Sequence, residues 1–300
     1  FQSRSLPDGF APRTVTLRRK ADGWYLSVQL SDETVPESPA PDVVKTAIGV
    51  DLGIKKLASV STGDLIVNPQ FGKQSQRRRQ LKARSASRKK KGSIRRRKTY
   101  AALAKLEQRV ERRRTDYHWK VAHQLANSAD CIIFEALNIK GMMARCKPKK
   151  DPETEKYLHN GQSAKRGLNR AIGDAAWGEL KQKVKAVAAK SGVLVHEINP
   201  KHTSQECSCC GFCHPTNRDK EKFLCESCGW MADADIDAAV VIRQRGLKEL
   251  GINIPLPVVH GKVTLKEPVA RQGLSVGLPT EPENPRMERE QLNLFEWRGE

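Results

Sequence analysis

The sequence predicts an α/β protein with a mixed central sheet and helices on both faces. Apolar runs of strand length begin at Ile48 and Cys131, and a third run, VLVHEI, follows Gly192. Apolar residues at helical spacing cover Tyr100–Ala126 and Asp174–Lys190. Strand-length runs that alternate with helical patterns of this length are typical of α/β sheets.

Composition narrows the class of partner. The 300 residues carry 54 Lys and Arg against 34 Asp and Glu, a net charge of +20. This balance favours a polyanionic partner, nucleic acid first and an acidic membrane surface second. No stretch of about eighteen apolar residues is present, so we expect no membrane-spanning helix. The sequence starts without a signal-peptide pattern and without Met, and from the missing Met we expect a fragment or a trimmed form of a longer protein.

The N-terminal segment predicts a separate β-rich unit. RTVTLRRKADGWYLSVQL reads as two alternating runs around Asp22–Gly23, which is a hairpin signal. The proline-rich stretch 36–43 then marks a boundary, so residues 1–40 are expected to end another domain. At the other end, residues 251–300 are Pro-rich without a clear period, and we expect a poorly ordered tail.

Carboxylates follow or begin three of the predicted elements. Asp51 ends the first strand and Glu135 ends the second, and Asp233, Asp235 and Asp237 stand at the head of a helical pattern. Acids at element ends, far apart in sequence, are what a two-metal phosphodiesterase requires, because hard oxygen ligands hold a Mg²⁺ pair roughly 3.5–4 Å apart.

The three aspartates of the last helix cannot all serve one site. Asp233 is well placed as the N-cap, where its side chain accepts a backbone N–H. Asp235 lies in the first turn, where the helix dipole also favours a carboxylate. Helix positions two apart point about 200° from each other, so only one of Asp235 and Asp237 can face the other acids. Spacing alone leaves that choice open.

Six of the eight cysteines lie within Cys207–Cys228, which predicts a metal site in a reducing compartment, the cytoplasm. Two Cys-x-x-Cys-Gly knuckles supply four thiolates for a structural, tetrahedral Zn²⁺; the alternative is a free or redox-active cysteine cluster. Cys210 and Cys213 are also two residues apart, but we prefer the pairs that a glycine follows. The predicted zinc ligands are Cys207, Cys210, Cys225 and Cys228.

A basic block, Lys73–Lys98, contains fourteen Lys and Arg and no acid. It is interpreted as an arm that follows a nucleic-acid backbone, with a solvated helix face, a disordered arm and a nuclear-localisation signal as alternatives. Residues 143–168 are interpreted as a mobile loop over a cleft or a plain surface loop. The candidate phosphate contacts are Arg77, Arg78, Arg79, Lys82, Arg84, Arg88, Lys89, Lys90, Lys91, Arg95, Arg96, Arg97 and Lys98.

Six stretches, in this order over about residues 44–246, resemble the OrfB/TnpB family of insertion-sequence proteins. They are IGVDLGIKKLASV, DYHWKVAHQLA with IIFEALNIKGM, WGELKQKV, INPKHTSQECSCCG, FLCESCG and DADIDAA. That family is related to the compact type V CRISPR effectors, and both carry a RuvC-like nuclease domain. The resemblance implies an RNase H-like fold (RuvC-type) with a zinc ribbon inserted before the last helix.

The resemblance also assigns roles to residues. It implies that the catalytic acids and Mg²⁺ ligands are Asp51, Glu135 and Asp235, with Asp237 standing where the family usually has Asn. It implies the following organisation: the end of a wedge domain at 1–40, a nuclease domain at 41–198 with a basic helical insertion at about 73–126, a zinc ribbon at 199–230, and the last nuclease helix at 231–250.

The function expected from the resemblance is RNA-guided, Mg²⁺-dependent hydrolysis of DNA, with guide RNA and target DNA as partners. Three alternatives are weighed against it. An unguided RuvC-like resolvase would cut without RNA, and a transposon accessory protein would bind nucleic acid without cutting. A cut-and-paste transposase uses a similar trio of acids, but no domain for binding transposon ends is evident in the sequence.

Overall fold

The computed structural model describes residues 9–32, 35–37 and 39–254. The strands are β1 (Phe10–Arg19), β2 (Trp24–Asp32), β3 (Ala47–Leu52), β4 (Lys56–Val60), β5 (Leu65–Val67), β6 (Cys131–Glu135), β7 (Lys149–Lys150), β8 (Tyr157–Leu158), β9 (Leu194–Ile198), β10 (Arg218–Asp219), β11 (Lys222–Leu224) and β12 (Met231–Asp233). The helices are α1 (Phe71–Ser87), α2 (Ile94–Ala126), α3 (Ile139–Met142), α4 (Gln162–Ala175), α5 (Trp177–Ser191) and α6 (Ala234–Leu250). Most of the predicted C-terminal tail, residues 255–300, lies outside the described residues.

The predicted mixed sheet is confirmed. Its five strands run in the order β5–β4–β3–β6–β9; β3, β4 and β5 pair antiparallel, whereas β6 pairs parallel with both β3 and β9. One face packs against α2, α4 and α5 through residues such as Val121, Ile172 and Leu180, and the other packs against α6 through Ile242 and Leu247. Helices therefore cover both faces, as the sequence predicts. No helix among the described residues is long and apolar enough to cross a membrane.

Two glycines let the sheet and α6 approach closely. A Cβ atom added at Gly49 of β3 would lie 2.1 Å from the carbonyl oxygen of Ala239, and one at Gly246 of α6 would lie 2.5 Å from a methyl group of Ile133. A side chain at either position would push the helix off the strands. The second and third turns of α6 are thus held directly over β3.

The predicted N-terminal hairpin is confirmed: β1 and β2 pair antiparallel, with Arg19 opposite Trp24. Its turn is fixed to α2, because the Asp22 carboxylate accepts a hydrogen bond from Gln108 Nε2 (2.7 Å) and forms an ion pair with Arg112 (2.8 Å). The hairpin is therefore attached to the long helix by polar contacts at its turn.

The basic block is helical and forms an antiparallel helix pair. It occupies α1 and the start of α2, joined by a short loop at residues 88–93. The predicted helix at Tyr100–Ala126 begins earlier, at Ile94, because the Ser93 hydroxyl caps it by accepting the N–H of Arg96 at 3.2 Å. The alternative of a disordered arm is wrong for these residues.

The expected loop at 143–168 is only partly correct. Residues 149–150 and 157–158 form a short hairpin, and α4 already starts at Gln162. The expected helix at Asp174–Lys190 is interrupted at Ala176, which has a φ of 49°, so α5 begins at Trp177. Helix α4 escaped sequence analysis because it buries little besides Ile172 and Ala175.

Strands β10, β11 and β12 form a small sheet; the Cys225–Cys228 knuckle connects β11 to β12, and the Cys207–Cys210 knuckle precedes β10. The expected boundary of the last helix at residue 231 is wrong, because Met231–Asp233 is the third strand of this sheet and α6 starts at Ala234. The polypeptide therefore passes directly from the small sheet into the helix that covers β3.

Candidate functional site

Strand pairing brings the first two predicted acids together. Val50 of β3 pairs with Phe134 of β6 in a parallel register, so Asp51 and Glu135 follow side by side. Alternation along the strands turns both away from the buried side chains of Val50 and Phe134 and toward the face that α6 covers. Glu135 is only 9 % exposed.

The N-terminus of α6 supplies the third acid. The predicted N-cap is confirmed, because the Asp233 carboxylate accepts the backbone N–H groups of Asp235 (3.0 Å) and Ile236 (3.3 Å). Asp235 lies close enough to repel Asp51 electrostatically. Asp237 is buried on another side of the helix, where it accepts hydrogen bonds from Ser208 and Trp230. The geometry thus groups Asp235, and not Asp237, with Asp51 and Glu135.

The three acids create a strong local field. Burial, followed by repulsion from Glu135 and Asp235, raises the pKa of Asp51 to about 7, against a partial attraction from Arg218. Burial also raises the pKa of Glu135. Buried carboxylates that repel one another form a site suited to a cation, because a bound cation would offset their repulsion.

Two cations of the chain already offset part of this charge. Arg218 of β10 forms an ion pair with Asp235 at 2.7 Å, and Lys56 of β4 lies 3.0 Å from Asp233 and 3.7 Å from Asp235. Within the described residues, the ligand atoms of four cysteines lie close enough together to hold a metal ion, whereas the carboxylate oxygens of the acids are spaced further apart. The oxygen donors nevertheless fit Mg²⁺, which prefers carboxylates and bound water and is held through one or two protein carboxylates.

The four predicted zinc ligands cluster. The Sγ atoms of Cys207, Cys210, Cys225 and Cys228 all lie within 4.8 Å of one another. Cys207 and Cys228 are 3.7 Å apart and Cys210 and Cys225 are 3.6 Å apart. A tetrahedral Zn²⁺ with Zn–S bonds near 2.3 Å requires sulfur separations of about 3.8 Å, so the donor set fits zinc.

The geometry also resolves the choice between cysteine pairs. Cys213 is exposed and outside the cluster, and Cys209 is likewise outside it. Gly211 and Gly229 have φ values of 76° and 71°, and each donates its N–H to the carbonyl of the first cysteine of its knuckle at 2.9 Å. The glycines are required because this left-handed conformation is costly for other residues.

The basic arm divides into two groups. Arg79 binds Glu107 (2.9 Å), Lys89 binds the Thr99 hydroxyl, and Arg96 binds a backbone carbonyl, so these three stabilise the helix pair. The other ten are exposed, and none of them forms an ion pair within the described residues: Arg77, Arg78, Lys82, Arg84, Arg88, Lys90, Lys91, Arg95, Arg97 and Lys98.

Two family models match the chain. A model described as a probable transposase (OrfB_IS605) matches residues 27–145, and a Cas12f1-like TNB-domain model matches residues 177–242. The two matched regions are thus similar to the OrfB/TnpB family and to its Cas12f1-like relatives. The matched regions contain Asp51, Glu135 and Asp235 as well as all four clustered cysteines.

Curated relatives of the chain carry consistent names. A Streptomyces pristinaespiralis protein, provisionally named an RNA-guided DNA endonuclease, is 32% identical over 82% of this chain and 56% of its own length. The Escherichia coli K12 protein InsQ, provisionally named in the same way, is 30% identical over 76% of this chain and 55% of its own length. This chain therefore spans about half the length of these relatives. A solved CRISPR-Cas12f ternary complex superposes with a TM-score of 0.45, at 18% identity, over 76% of this chain and 44% of that one.

Sequence analysis missed several polar residues around the acids. Besides Arg218 and Lys56, these include Thr203, which donates its hydroxyl to Glu135, and Lys181, which donates to the Glu135 backbone carbonyl at 2.9 Å. Their residue types and spacing alone do not link them to the acids. Only the tertiary fold brings them to the site, although Thr203 and Lys181 lie in family-like stretches that could have marked them.

Proposed function

We propose that this chain is the nuclease portion of an RNA-guided DNA endonuclease with an RNase H-like fold of the RuvC type. In this proposal residues 41–198 and 234–250 form the nuclease domain, 199–233 its zinc ribbon, and 1–40 the end of a wedge domain. The observation that supports this proposal is that three distant segments bring Asp51, Glu135 and Asp235 together at one edge of the sheet. Their proximity contributes to the raised pKa of Asp51, which is about 7.

Asp51, Glu135 and Asp235 would hold the Mg²⁺ pair. When bound, these ions would activate water and stabilise the leaving oxygen of a DNA phosphodiester. The protein itself supplies the fixed frame: β3 and β6 hold two acids on rigid strands, and α6 holds the third at its first turn. Arg218 and Lys56 are free to exchange their ion pairs with Asp235 and Asp233 for a DNA phosphate, which would keep the backbone in the site.

The ribbon cysteines would hold one structural Zn²⁺. The four thiolates fit a tetrahedral ion, and the ribbon they close carries Arg218 on β10. Zinc would therefore act on the acid site indirectly, by fixing the strand from which this arginine reaches Asp235.

The ten exposed cations of the arm would contact phosphates of the guide RNA or target DNA without reading sequence. Sequence would come from guide pairing. Binding is then expected to weaken steeply with salt, and replacing Arg77, Arg78 and Lys82 by Gln should reduce the slope of log K against log salt by about 2–3. Affinity that is the same at low and high salt would contradict this role for the arm.

The test is plasmid cleavage with Mg²⁺ by the chain in its longest natural form, with and without RNA from its native locus. Asp51→Ala is the site variant, and Asp116→Ala, an exposed acid on α2, is the matched control. Cleavage that needs the RNA, is lost with Asp51→Ala and survives Asp116→Ala supports the proposal. Cleavage without RNA would instead indicate an unguided resolvase, and RNA binding without cleavage under any condition would indicate an accessory binding protein.

A further inference from the structure

Glu135 is held by the protein at two points. Its backbone carbonyl accepts a hydrogen bond from Lys181 Nζ at 2.9 Å, and its Oε1 atom accepts one from the Thr203 hydroxyl. Lys181 is itself fixed by an ion pair with Glu197 of β9. No hydrogen bond reaches Oε2 of Glu135 from the residues that the structure describes. One oxygen of this carboxylate is thus tied to the protein while the other is available.

Thr203 is presented to Glu135 by a strained turn. It is 3 % exposed and lies just after β9, and His202 before it has a φ of 63°, in the left-handed region. The carbonyl of His202 accepts the N–H groups of Gln205 (3.0 Å) and Glu206 (3.1 Å), which holds this conformation. A non-glycine residue pays of order 1–3 kcal/mol for such a backbone, and strain of this kind concentrates at functional sites.

The hydroxyl has two possible acceptors. The carbonyl of Pro200 lies 3.2 Å from Thr203 Oγ1, in addition to Glu135 Oε1. A hydroxyl carries one proton, and an ionised carboxylate is the stronger acceptor. The proton therefore points to Glu135 whenever that carboxylate is charged, which is the form that can bind a metal ion.

We propose that Thr203 is a positioning residue for Glu135: its hydroxyl fixes the carboxylate through Oε1 and so presents Oε2 to a divalent metal ion. The inference rests on the proposed metal site and extends it to a residue that supplies no ligand of its own. Partners that orient a metal ligand typically contribute 10–100-fold to metal affinity.

The test is Mn²⁺ binding to the zinc-loaded chain without nucleic acid, measured by calorimetry and by the Mn²⁺ spin-resonance signal. Thr203→Val keeps the size and removes the hydroxyl, and Thr203→Ser restores it. Thr216→Val is the matched control, because Thr216 makes the same type of hydrogen bond to Glu226, at the surface of the ribbon. Asp51→Asn reports whether the ion binds at the acids. Zinc content and melting temperature check folding, and Thr203→Ala replaces the valine variant if that variant does not fold.

The expected result is Mn²⁺ binding that weakens about 10–100-fold with Thr203→Val, recovers with Thr203→Ser and is unchanged by Thr216→Val. Native affinity in Thr203→Val or Thr203→Ala would overturn the inference and leave the proposed nuclease site intact. Binding that Asp51→Asn does not weaken, or no binding by the native chain, would overturn the metal site and the inference together.

Discussion

The close seating of α6 on β3 makes Gly49 a sensitive test of the proposed site. A Cβ atom at this position would lie 2.1 Å from the Ala239 oxygen and 2.6 Å from the Arg243 nitrogen, both of them backbone atoms. Backbone cannot rotate away as a flexible side chain can. Gly49→Ala must therefore move α6 outward by about 1 Å before the contact becomes tolerable.

Two effects of this displacement can be estimated. Overpacking of a buried contact typically costs about 1–3 kcal/mol, so the melting temperature should fall by several degrees. Asp235 moves with the first turn of α6, away from Asp51 on the strand. Because misplacing a catalytic group by about 1 Å can lower the rate roughly 100-fold, we expect cleavage to fall by about that factor.

The assay combines thermal unfolding with Mg²⁺-dependent cleavage, and Gly167→Ala is the matched control. Gly167 lies in α4, and a Cβ atom there would meet nothing within 4 Å. This control should retain cleavage and gain up to about 1 kcal/mol from helix propensity. Native melting and native cleavage in Gly49→Ala would refute the idea that the Gly49 contact sets the position of Asp235.

Three further predictions follow from individual contacts. Asp235→Asn should abolish cleavage, whereas Asp237→Asn should retain it and raise the melting temperature, because an amide oxygen still accepts both hydrogen bonds and a buried charge is removed. Metal analysis should find that Cys225→Ser loses the zinc and Cys213→Ser keeps one ion per chain. Burial lowers the pKa of His118 to about 4, so the unfolded chain binds its proton first. The unfolding free energy should therefore fall between about pH 6.5 and 4 in denaturant titrations, and His118→Gln should reduce this slope.

Local sequence patterns predicted the parts of the fold that local physics determines. The β1–β2 hairpin follows from its Asp-Gly turn, the cysteine knuckles follow from their glycines, and the start of α6 follows from the capping side chain of Asp233. Each of these features depends on residues within a few positions of one another. Apolar runs of strand length likewise located β3, β6 and β9, and nearly every residue of β3 and β6 is buried.

Features that depend on distant contacts were not predictable in the same way. Helix α4 has few buried residues. Its N-cap is Gly161, which has a left-handed conformation and no side chain to cap the helix. Spacing also left the choice between Asp235 and Asp237 open, because both are acidic and both lie in the first turn, and only the family resemblance indicated Asp235. Only the position of Ser208 and Trp230, on the ribbon side of the helix, explains why Asp237 is turned away.

The contacts of α6 indicate that the ribbon and the acids act as one structural unit. The ribbon contacts the helix in two places. In the first turn Arg218 binds Asp235, and Ser208 and Trp230 bind Asp237; two turns further on, Glu206 binds Arg245. A helix fixed along its length on one side by the ribbon and on the other by Gly49 has little freedom to shift Asp235. Loss of the zinc would loosen the contacts between the ribbon and α6 while leaving all three acids in the chain. Chelation of zinc is therefore expected to weaken Mn²⁺ binding at the acids, although no cysteine lies among them.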